Sequence, residues 1–328
     1  MTTPPDFTRG TINLASADLG ARALSSTNDF FGAVGRMLQD KPAEFIPGLY
    51  DDAGKYMDGW ESTRRRKGGH DHAVVELAVP GSIVGFDVDT SFFTGNYAPA
   101  CRIEAARLDG APDDGTEWTE ILPAQPLGAS AHHYFDCADA GVWTHLRLHI
   151  YPDGGVARLR VYGHPRPDLA VGDEHDLASA LTGGRVVAAS DDHFGGSARL
   201  LLPSAPKNMG DAWDTHRRRE PGHEWIILAL GRRGTLSRFE VDTAFHRGNF
   251  PPAFSIQAAD LDAGTAALAK SVMSSAMFWD VLLPETPLEA DRLHQVVCPD
   301  PRPVTHLRVN IHPDGGLARL RAFGRLLA

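Results

Sequence analysis

Apolar and polar residues alternate along several stretches of the chain with a period of two. Within residues 83–89, Val84, Phe86 and Val88 share one side of the segment, whereas Asp87 and Asp89 share the other. Successive side chains of a β-strand point to opposite faces of its sheet. The pattern therefore predicts a half-buried strand whose apolar side faces the core.

The same alternation occurs twice near residue 150, on either side of a turn sequence. Apolar residues take every second position of residues 146–150, residues 152–155 are Pro-Asp-Gly-Gly, and residues 156–162 alternate again. Two such segments joined by a Pro/Gly turn predict a β-hairpin. Signals for helix are weak and limited to residues 30–39 and 198–202. Short half-apolar strands separated by turns predict antiparallel β-sandwiches of the jelly-roll type.

The chain is an internal duplication. Residues 57–66 return as residues 210–219, with Trp60 and Trp213 at equivalent positions 153 residues apart. The alternating strand segment described above returns at the same offset. We therefore expect the two copies to superpose as sandwiches, with Trp60 over Trp213 and with each tryptophan anchoring its loop.

The two copies define the predicted domain organisation. The first occupies residues 11–163 and the second residues 183–324, joined by a Pro-containing and charged linker at residues 164–182. Compared with the first copy, the second lacks ten residues before Trp213 and gains eight near residues 262–275. The predicted fold is all-β, with two tandem jelly rolls.

Composition restricts the expected ligands and compartment. The chain has 328 residues and a formal net charge of −10, so general affinity for nucleic acid or an anionic membrane is not expected. Local arginine runs on an acidic protein suit a small anionic ligand better than a polyanion. The N-terminus lacks the features of a signal peptide, and the apolar runs are too short to span a bilayer. Three cysteines without disulfide or zinc spacing also favour the cytoplasm.

The order of motifs in both copies resembles that of the allantoicase (allantoate amidinohydrolase) family. The resemblance is carried by residues 45–48, 57–66, 69–72 and 85–96 in the first copy, and by residues 249–252 and 313–316 in the second. It implies two tandem galactose-binding-like jelly rolls. It also implies hydrolysis of allantoate to ureidoglycolate and urea in purine degradation. The expected partners are a small-molecule substrate and further copies of the chain in a homo-oligomer.

Two other functions are compatible with the residues. Galactose-binding-like sandwiches often bind sugars without catalysis, so a tandem carbohydrate-binding module is one alternative. The charge-rich, arginine-heavy motif counts against it. The other alternative is a hydrolase of a related ureido acid such as ureidoglycolate. Urea release from allantoate separates these functions.

Two carboxylates are the candidates for acid–base work. Allantoate bears one carboxylate and two ureido groups, so its site needs an arginine, hydrogen-bonding carboxylates or amides, and a titrating acid or base. Glu61 and Asp89 could be that acid or base or bind ureido groups. The alternatives are a solvated loop charge for Glu61 and a strand-end cap for Asp89. Their recurrence as Asp214 and Asp242 favours a functional role.

A second group of candidates binds the substrate. The candidate substrate-binding residues are Arg64, Arg65, Arg66 and Asn96 in the first copy, and Arg218 and Asn249 in the second. Three consecutive side chains on an extended segment cannot all point one way, so which arginine binds the carboxylate stays open. Each asparagine follows a glycine, so a left-handed turn is the alternative explanation.

His70 is the candidate group that titrates near neutral pH. It is repeated as His223, and a structural hydrogen-bonding role is an equal alternative. His70, Asp71 and His72 also invite a metal interpretation, but Trp225 replaces His72 in the second copy. No motif has metal-ligand spacing, so the cofactor is unknown and dependence on a divalent metal stays open.

We expect the first-copy candidates to converge at one end of the first sandwich. Loops at the same end of a sandwich can gather residues that are distant in sequence. The first copy keeps the fuller family motif, so it is expected to hold the active site. Two working sites, or one site shared between the copies, are the alternatives.

Overall fold

The computed structural model describes residues 3–327. The chain divides into two compact units between Pro167 and Asp168. Strands dominate both units, which confirms the predicted all-β class. No helix within residues 3–327 is long and apolar enough to cross a lipid bilayer.

The first unit is built mainly from short strands around one long strand. The strands are β1 (Ile12–Asn13), β2 (Arg22–Ser26), β3 (Tyr50–Asp51), β4 (Gly54–Lys55), β5 (Trp60–Glu61), β6 (Asp71–Asp89), β7 (Ala100–Ala106), β8 (Thr119–Pro126), β9 (His132–Asp136), β10 (Val142–Tyr151), β11 (Gly155–Val156) and β12 (Arg158–Pro165). Short 3-10 helices cover Asp6–Thr8 and Val34–Leu38. The second of these falls where the sequence favoured a helix.

The second unit repeats this plan. Its strands are β13 (Glu174–Asp176), β14 (Arg185–Ala189), β15 (Trp213–Asp214), β16 (Glu224–Asp242), β17 (Ala253–Ala259), β18 (Asp280–Pro287), β19 (Leu293–Val297), β20 (Pro303–His312), β21 (Gly316–Leu317) and β22 (Arg319–Leu326). Its helices are α1 (Ala263–Ala266), α2 (Ala269–Ser275) and the 3-10 turns Ala180–Thr182, Ser197–Leu201 and Ala276–Phe278.

The long strand β6 connects the two layers of the first sandwich. Its first half lies between β2 and β10, and its second half lies between β9 and β12. Phe86, Val88, Leu146, Leu148 and Ile150 are fully buried between the layers. The strand β16 has the same role in the second unit, between β14 and β20 and then between β19 and β22. The two tandem jelly rolls predicted from the sequence are confirmed.

The equivalent residues of the two copies lie on equivalent elements. Trp60 on β5 and Trp213 on β15 are both fully buried. Asp89 ends β6, and Asp242 ends β16. The alternation in the sequence therefore predicted equivalent strands in the two copies.

The predicted β-hairpin around residues 152–155 is wrong. β10 pairs with β6 and β7, whereas β12 pairs with β6 and β1, so β6 lies between them in the sheet order. The chain crosses from one layer to the other at the turn, and β11 pairs with β5 on the way. A Pro/Gly turn marks where two strands end but does not require that those strands pair with each other.

The predicted core face of β6 is confirmed for Phe86 and Val88 and is wrong for Val84. A β-bulge pairs Tyr162 with Gly85 and the next residue with Ile83, so Val84 is left out of the register. A bulge shifts the alternation by one residue. Ile83 is consequently buried and Val84 is only half-buried.

The copies differ in length where their alignment predicted. Residues 260–279 connect β17 to β18 and contain α1 and α2, whereas the shorter segment 107–118 connects β7 to β8. The predicted eight-residue insertion is therefore confirmed. The ten residues missing from the second copy belong to residues 39–59 of the first, which carry the β3–β4 pair and which we call the flap. The corresponding segment of the second copy is residues 202–212.

The structure assigns much of the predicted linker to the folded units. Pro165 ends β12, and β13 pairs with the last strand of the second unit. Leu177 and Ala178 are fully buried. Residues 166–173 contain neither strand nor helix. Glu174, His175 and Asp176 of the charged stretch form an edge strand that pairs with β22.

Candidate active site

A cleft of about 380 Å³ opens in the first unit between the arginine run and the turn that follows β10. Its lining residues are Arg64, Arg65, Gly95, Asn96, Tyr97, Pro99, Pro152 and Asp153. The arginine run is fixed to the turn because the backbone N–H of Arg65 donates to the Asp153 carboxylate at 2.7 Å. The cleft therefore combines two cations, an amide and exposed backbone within a small volume.

Glu61 is held against this cleft by a short strand with a buried anchor. Trp60 is fully buried, and its indole N–H donates to the carbonyl of Asn28 at 2.8 Å. Neighbouring residues of a strand point to opposite faces. Glu61 consequently faces away from the indole, and its backbone pairs with Gly155 of β11. The predicted anchoring role of this tryptophan matches its position.

Glu61 and Asn96 form a direct hydrogen bond. The Asn96 side-chain N–H donates to Oε1 of Glu61 at 2.6 Å, and the Asn96 carbonyl accepts from the backbone of Gly155 at 2.7 Å. Burial raises the pKa of Glu61, and the hydrogen bond from Asn96 and the charge of Lys55 only partly oppose this. A buried carboxyl with a raised pKa can hold a proton at higher pH than an ordinary glutamate, as a general acid requires.

The three arginines have different environments. Arg64 lines the cleft, is exposed, and makes no hydrogen bond or ion pair with any other residue in 3–327. Arg65 is occupied, because its Nε donates to the buried Asp71 carboxylate at 2.9 Å. Arg66 is exposed and is not part of the cleft lining. Arg64 is thus the guanidinium that is free to bind an anion in the cleft.

A hydrogen-bonded row of titratable side chains begins at His70. Nε2 of His70 lies 2.8 Å from Nδ1 of His149, and Nε2 of His149 lies 2.9 Å from the Glu104 carboxylate. Arg147 and Arg102 also pair with Glu104, at 2.6 and 2.9 Å. We call His70, His149 and Glu104 the relay.

The electrostatics of the relay keep its imidazoles neutral. Burial lowers the pKa of His149 to about 4, and burial together with the charge of Arg102 lowers the pKa of His70. Burial raises the pKa of Glu104, but hydrogen bonds from His149 and Arg147 outweigh it and the pKa is lowered. Glu104 is therefore an acceptor for Nε2–H of His149. Nδ1 of His149 must then accept from Nε2–H of His70, which leaves Nδ1 of His70 as a free base.

The relay borders the cleft through the turn after β10. The His70 ring packs on Tyr151 with a centroid distance of 4.5 Å, and the backbone N–H of Asp71 donates to the carbonyl of Pro152 at 3.1 Å. Pro152 is itself a lining residue of the cleft. The Asp71 side chain is also the partner of Arg65. The structure thus places Glu61, Asn96, two arginines and His70 around the turn at residues 152–155.

Asp89 lies outside this group. Its carboxylate accepts from the backbone N–H of Ser91 at 2.7 Å, which is the strand-end cap considered as the alternative. It is buried beside Asp87, which pairs with His132 at 2.9 Å and with Arg160 at 3.4 Å. The cleft lining does not include Asp89. Alternation placed Asp87 and Asp89 on one face correctly, but that face is covered by side chains of β9 and β12.

The second unit contains an equivalent cleft of about 800 Å³. The Asn249 side chain donates to Asp214 at 2.9 Å, as the Asn96 side chain donates to Glu61 in the first unit. Burial raises the pKa of Asp214, against the opposing effects of His246 and Asn249. Arg218 pairs with Glu224 at 2.7 Å, as Arg65 pairs with Asp71 in the first unit.

Two other second-copy candidates have no acid–base network. His223 contacts the amide oxygen of Asn310 at 3.1 Å, where the first copy has the relay. Asp242 caps the N–H of Ala244 at 2.8 Å, as Asp89 caps its own turn.

The candidates drawn from the sequence did not include Glu104 or His149. Both occupy strand positions that ordinarily carry surface polar residues. A signal was present in the comparison of the copies, because His149 becomes Asn310 and Glu104 becomes Gln257. Two hydrogen-bonding partners that change together from ionisable to neutral indicate a shared role in one copy.

Neither metal nor thiol chemistry has an evident centre among the residues that the structure describes. Within residues 3–327, no group of three or more His, Cys, Asp or Glu side chains is arranged to hold a metal ion. Burial raises the pKa of Cys101 to about 12 and also raises the pKa of Cys137 and Cys298. A thiolate nucleophile needs a lowered pKa. Cys101 and Cys298 are buried and Cys137 is half-buried, and none of the three thiols is activated.

The fold and the clefts define a protein with two tandem jelly rolls, each with an arginine-lined cleft. The family model described as "Allantoicase repeat" matches residues 12–166 and again residues 175–327. The chain belongs to the allantoicase family.

Relatives and solved structures agree with this assignment. The chain is 57% identical to a probable allantoicase of Rhizobium meliloti (strain 1021), over 98% of this chain and 96% of that one. It is 52% identical to probable allantoicase 1 of Burkholderia mallei (strain ATCC 23344), with the same coverage. The crystal structure of allantoicase from Saccharomyces cerevisiae matches 96% of this chain and 93% of its own, at 30% identity and a TM-score of 0.79.

Proposed function

We propose that the protein hydrolyses allantoate to ureidoglycolate and urea, and that the first-unit cleft is its active site. Membership of the allantoicase family supports the reaction. The observation that carries the site is the free guanidinium of Arg64 beside the Glu61–Asn96 pair, in a cleft bordered by His70. These groups match the carboxylate, the ureido groups and the proton transfers that the substrate presents.

Substrate binding uses the two sides of the cleft. Arg64 binds the carboxylate through its fork of N–H donors, while Arg65 stays fixed to Asp71 and helps shape the wall. The carboxamide of Asn96 and the carboxyl of Glu61 contact one ureido group. A hydrogen bond between charged groups contributes about 1.5–3 kcal/mol, so the guanidinium supplies much of the binding energy of so small a substrate.

The bond between the central carbon and one ureido nitrogen breaks first. The nitrogen of the other ureido group supplies its lone pair to the central carbon as this bond breaks. Glu61 donates its proton to the departing nitrogen, which leaves as urea. Burial, which raises the pKa of Glu61, keeps the proton available for this step.

Water then adds to the resulting imine-like carbon. Nδ1 of His70 accepts the proton of that water, and the product carries a hydroxyl group there. Protonated His70 is a cation in a half-buried position. The negative charge of Glu104, connected through His149, stabilises this cation. The proton returns from His70 to Glu61 through solvent, which completes the cycle.

The direct test is urea release from allantoate by the purified chain, measured with and without a chelator. Arg64→Ala should raise KM, because the lost interaction holds the carboxylate in ground and transition states alike. Arg66→Ala is the matched control from the same run and should leave KM unchanged. A parallel reaction with ureidoglycolate tests the related-substrate alternative. Absence of urea release under every metal condition would refute the proposal, and equal effects of the two substitutions would refute the assignment of Arg64.

We also propose a cytoplasmic homo-oligomer. Three free cysteines support a reducing compartment, because disulfides persist mainly in oxidising ones. Fractionation of cells and light scattering of the purified protein test these two points. Recovery from an oxidising compartment, or a mass of one chain at working concentration, would refute them separately.

A further inference from the structure

The second-unit cleft keeps the binding groups of the first. Arg217 occupies the position of Arg64, lines the cleft, and makes no hydrogen bond or ion pair within the described part of the chain. The backbone N–H of Arg218 donates to Asp314 at 2.7 Å, as that of Arg65 does to its aspartate. With Asn249 and Asp214 hydrogen-bonded at 2.9 Å, an anion finds the same cation, amide and carboxyl in both clefts.

The same cleft has lost the relay. His223 contacts Oδ1 of Asn310 at 3.1 Å, and Nδ2 of Asn310 donates to Gln257 at 3.1 Å and to Ser255 at 3.3 Å. Every member beyond His223 is neutral at all pH values. No carboxylate in the row can therefore stabilise an imidazolium there, although the row keeps its hydrogen bonds.

A buried histidine does not replace the missing relay. His246 occupies the position of Phe93 and is fully buried beneath Gly316, near Asp214. Neither of its ring nitrogens has a hydrogen-bond partner among residues 3–327. Burial lowers the pKa of His246, so it is neutral, and its lack of exposure keeps it from contact with a ligand or water in the cleft.

The shape of the second cleft also differs. The flap of the first copy is ten residues longer than the corresponding segment 202–212, and the second cleft has about 800 Å³ against about 380 Å³. Phe194 and Met209 form an exposed apolar part of its wall. The larger cleft leaves more free volume around the same small anion.

We propose that the second-unit cleft is a separate binding site for a small carboxylate that carries ureido groups, and that it binds this ligand without hydrolysing it. The proposal rests on the proposed function for the chemical class of the ligand. Free substrate or product of the first cleft would bind through Arg217 and the Asp214–Asn249 pair. The chain would then have one catalytic site and one binding site of shared ancestry.

The test is the number of allantoate molecules bound per chain, measured by isothermal titration calorimetry. Glu61→Gln in the full chain serves as the slow background, so that the ligand persists during the titration. We expect two sites per chain in this background and one after Arg217→Ala is added. Arg219→Ala, from the same arginine run but outside this cleft, is the control and should leave two sites.

The outcomes separate the two proposals. One site per chain that is lost with Arg64→Ala and unaffected by Arg217→Ala would overturn the second site, while urea release by the wild-type chain would keep the proposed function. Two sites with no urea release by the wild-type chain would refute the function and leave the binding site. Glu61→Gln that retained half or more of the wild-type urea release would show hydrolysis in the second cleft and overturn the inference.

Discussion

Replacing Glu104 with glutamine tests the proposed activation of water in the first cleft. The second copy already has glutamine at this position, as Gln257, in a row that keeps its hydrogen bonds. Glutamine keeps an acceptor for His149, so the tautomers of the relay are preserved. The substitution therefore removes the negative charge and leaves the geometry. Protonated His70 becomes less stable, and the base in the proposed mechanism becomes weaker.

The expected magnitude follows from the separation of the charges. Two hydrogen bonds, of 2.8 and 2.9 Å, and the width of one imidazole ring separate the His70 ring from the Glu104 carboxylate. At about 8 Å and an effective dielectric constant of about 20, two unit charges interact by about 2 kcal/mol. Because about 1.4 kcal/mol corresponds to a tenfold change in rate, Glu104→Gln should lower kcat about 30-fold.

The assay is urea release at saturating allantoate across a range of pH. Loss of the negative charge lowers the pKa of His70 further, so the acid limb of the rate profile should move to lower pH. Glu120→Gln is the matched control, because Glu120 also pairs with Arg102, at 3.5 Å, but is exposed. It should change kcat less than twofold. A less than threefold loss for Glu104→Gln, or an equal loss for the control, would refute the role of the relay.

Three further predictions follow from the same contacts. Burial lowers the pKa of His70 and raises the pKa of Glu61. The value of kcat/KM should therefore fall at acid pH, where His70 gains a proton, and at alkaline pH, where Glu61 loses one. A pH profile without both limbs contradicts these roles. Asp58→Asn leaves the fully buried Arg158 without the carboxylate that lies 2.6 Å away, and should lower the free energy of unfolding in guanidinium chloride by about 3–5 kcal/mol. A cost below about 1 kcal/mol would show that this pair is not the main charge compensation. Gly32→Ala would overlap a backbone carbonyl next to β5, and should lower both the melting temperature and kcat; an unchanged melting temperature would show that the loop can move aside.

The sequence predicted the fold well because alternation and duplication are local signals. The alternation that marks Phe86 and Val88 as core-facing strand residues is visible in the residues next to them in the sequence. The paths of β10 and β12 were mispredicted, because pairing depends on the long strand β6 between them and not on the turn that joins them. The bulge that displaces Val84 also had no local signal in the sequence, since it arises from the register of two strands that are distant in sequence.

The site was only partly predictable for a related reason. Trp60 and the residues around Glu61 form a dense motif, and this motif predicts the cleft that we propose as the active site. The choice among the arginines required their side-chain partners, because the guanidinium of Arg65 is bound to Asp71 whereas that of Arg64 is free. Glu104 meets His70 only through the strand order β6, β10, β7, which no local pattern reveals.

The most direct test of the account is kcat for urea release by Glu61→Gln and Asp214→Asn, measured side by side. Both substitutions remove a carboxyl that pairs with an asparagine, at 2.6 Å in the first unit and 2.9 Å in the second. Removal of a general acid typically costs a factor of about 10²–10⁴, and the account predicts this loss for Glu61→Gln. The loss for Asp214→Asn should be at least tenfold smaller. Near-normal kcat for Glu61→Gln, or an equal loss for both variants, would contradict a single catalytic cleft in the first unit.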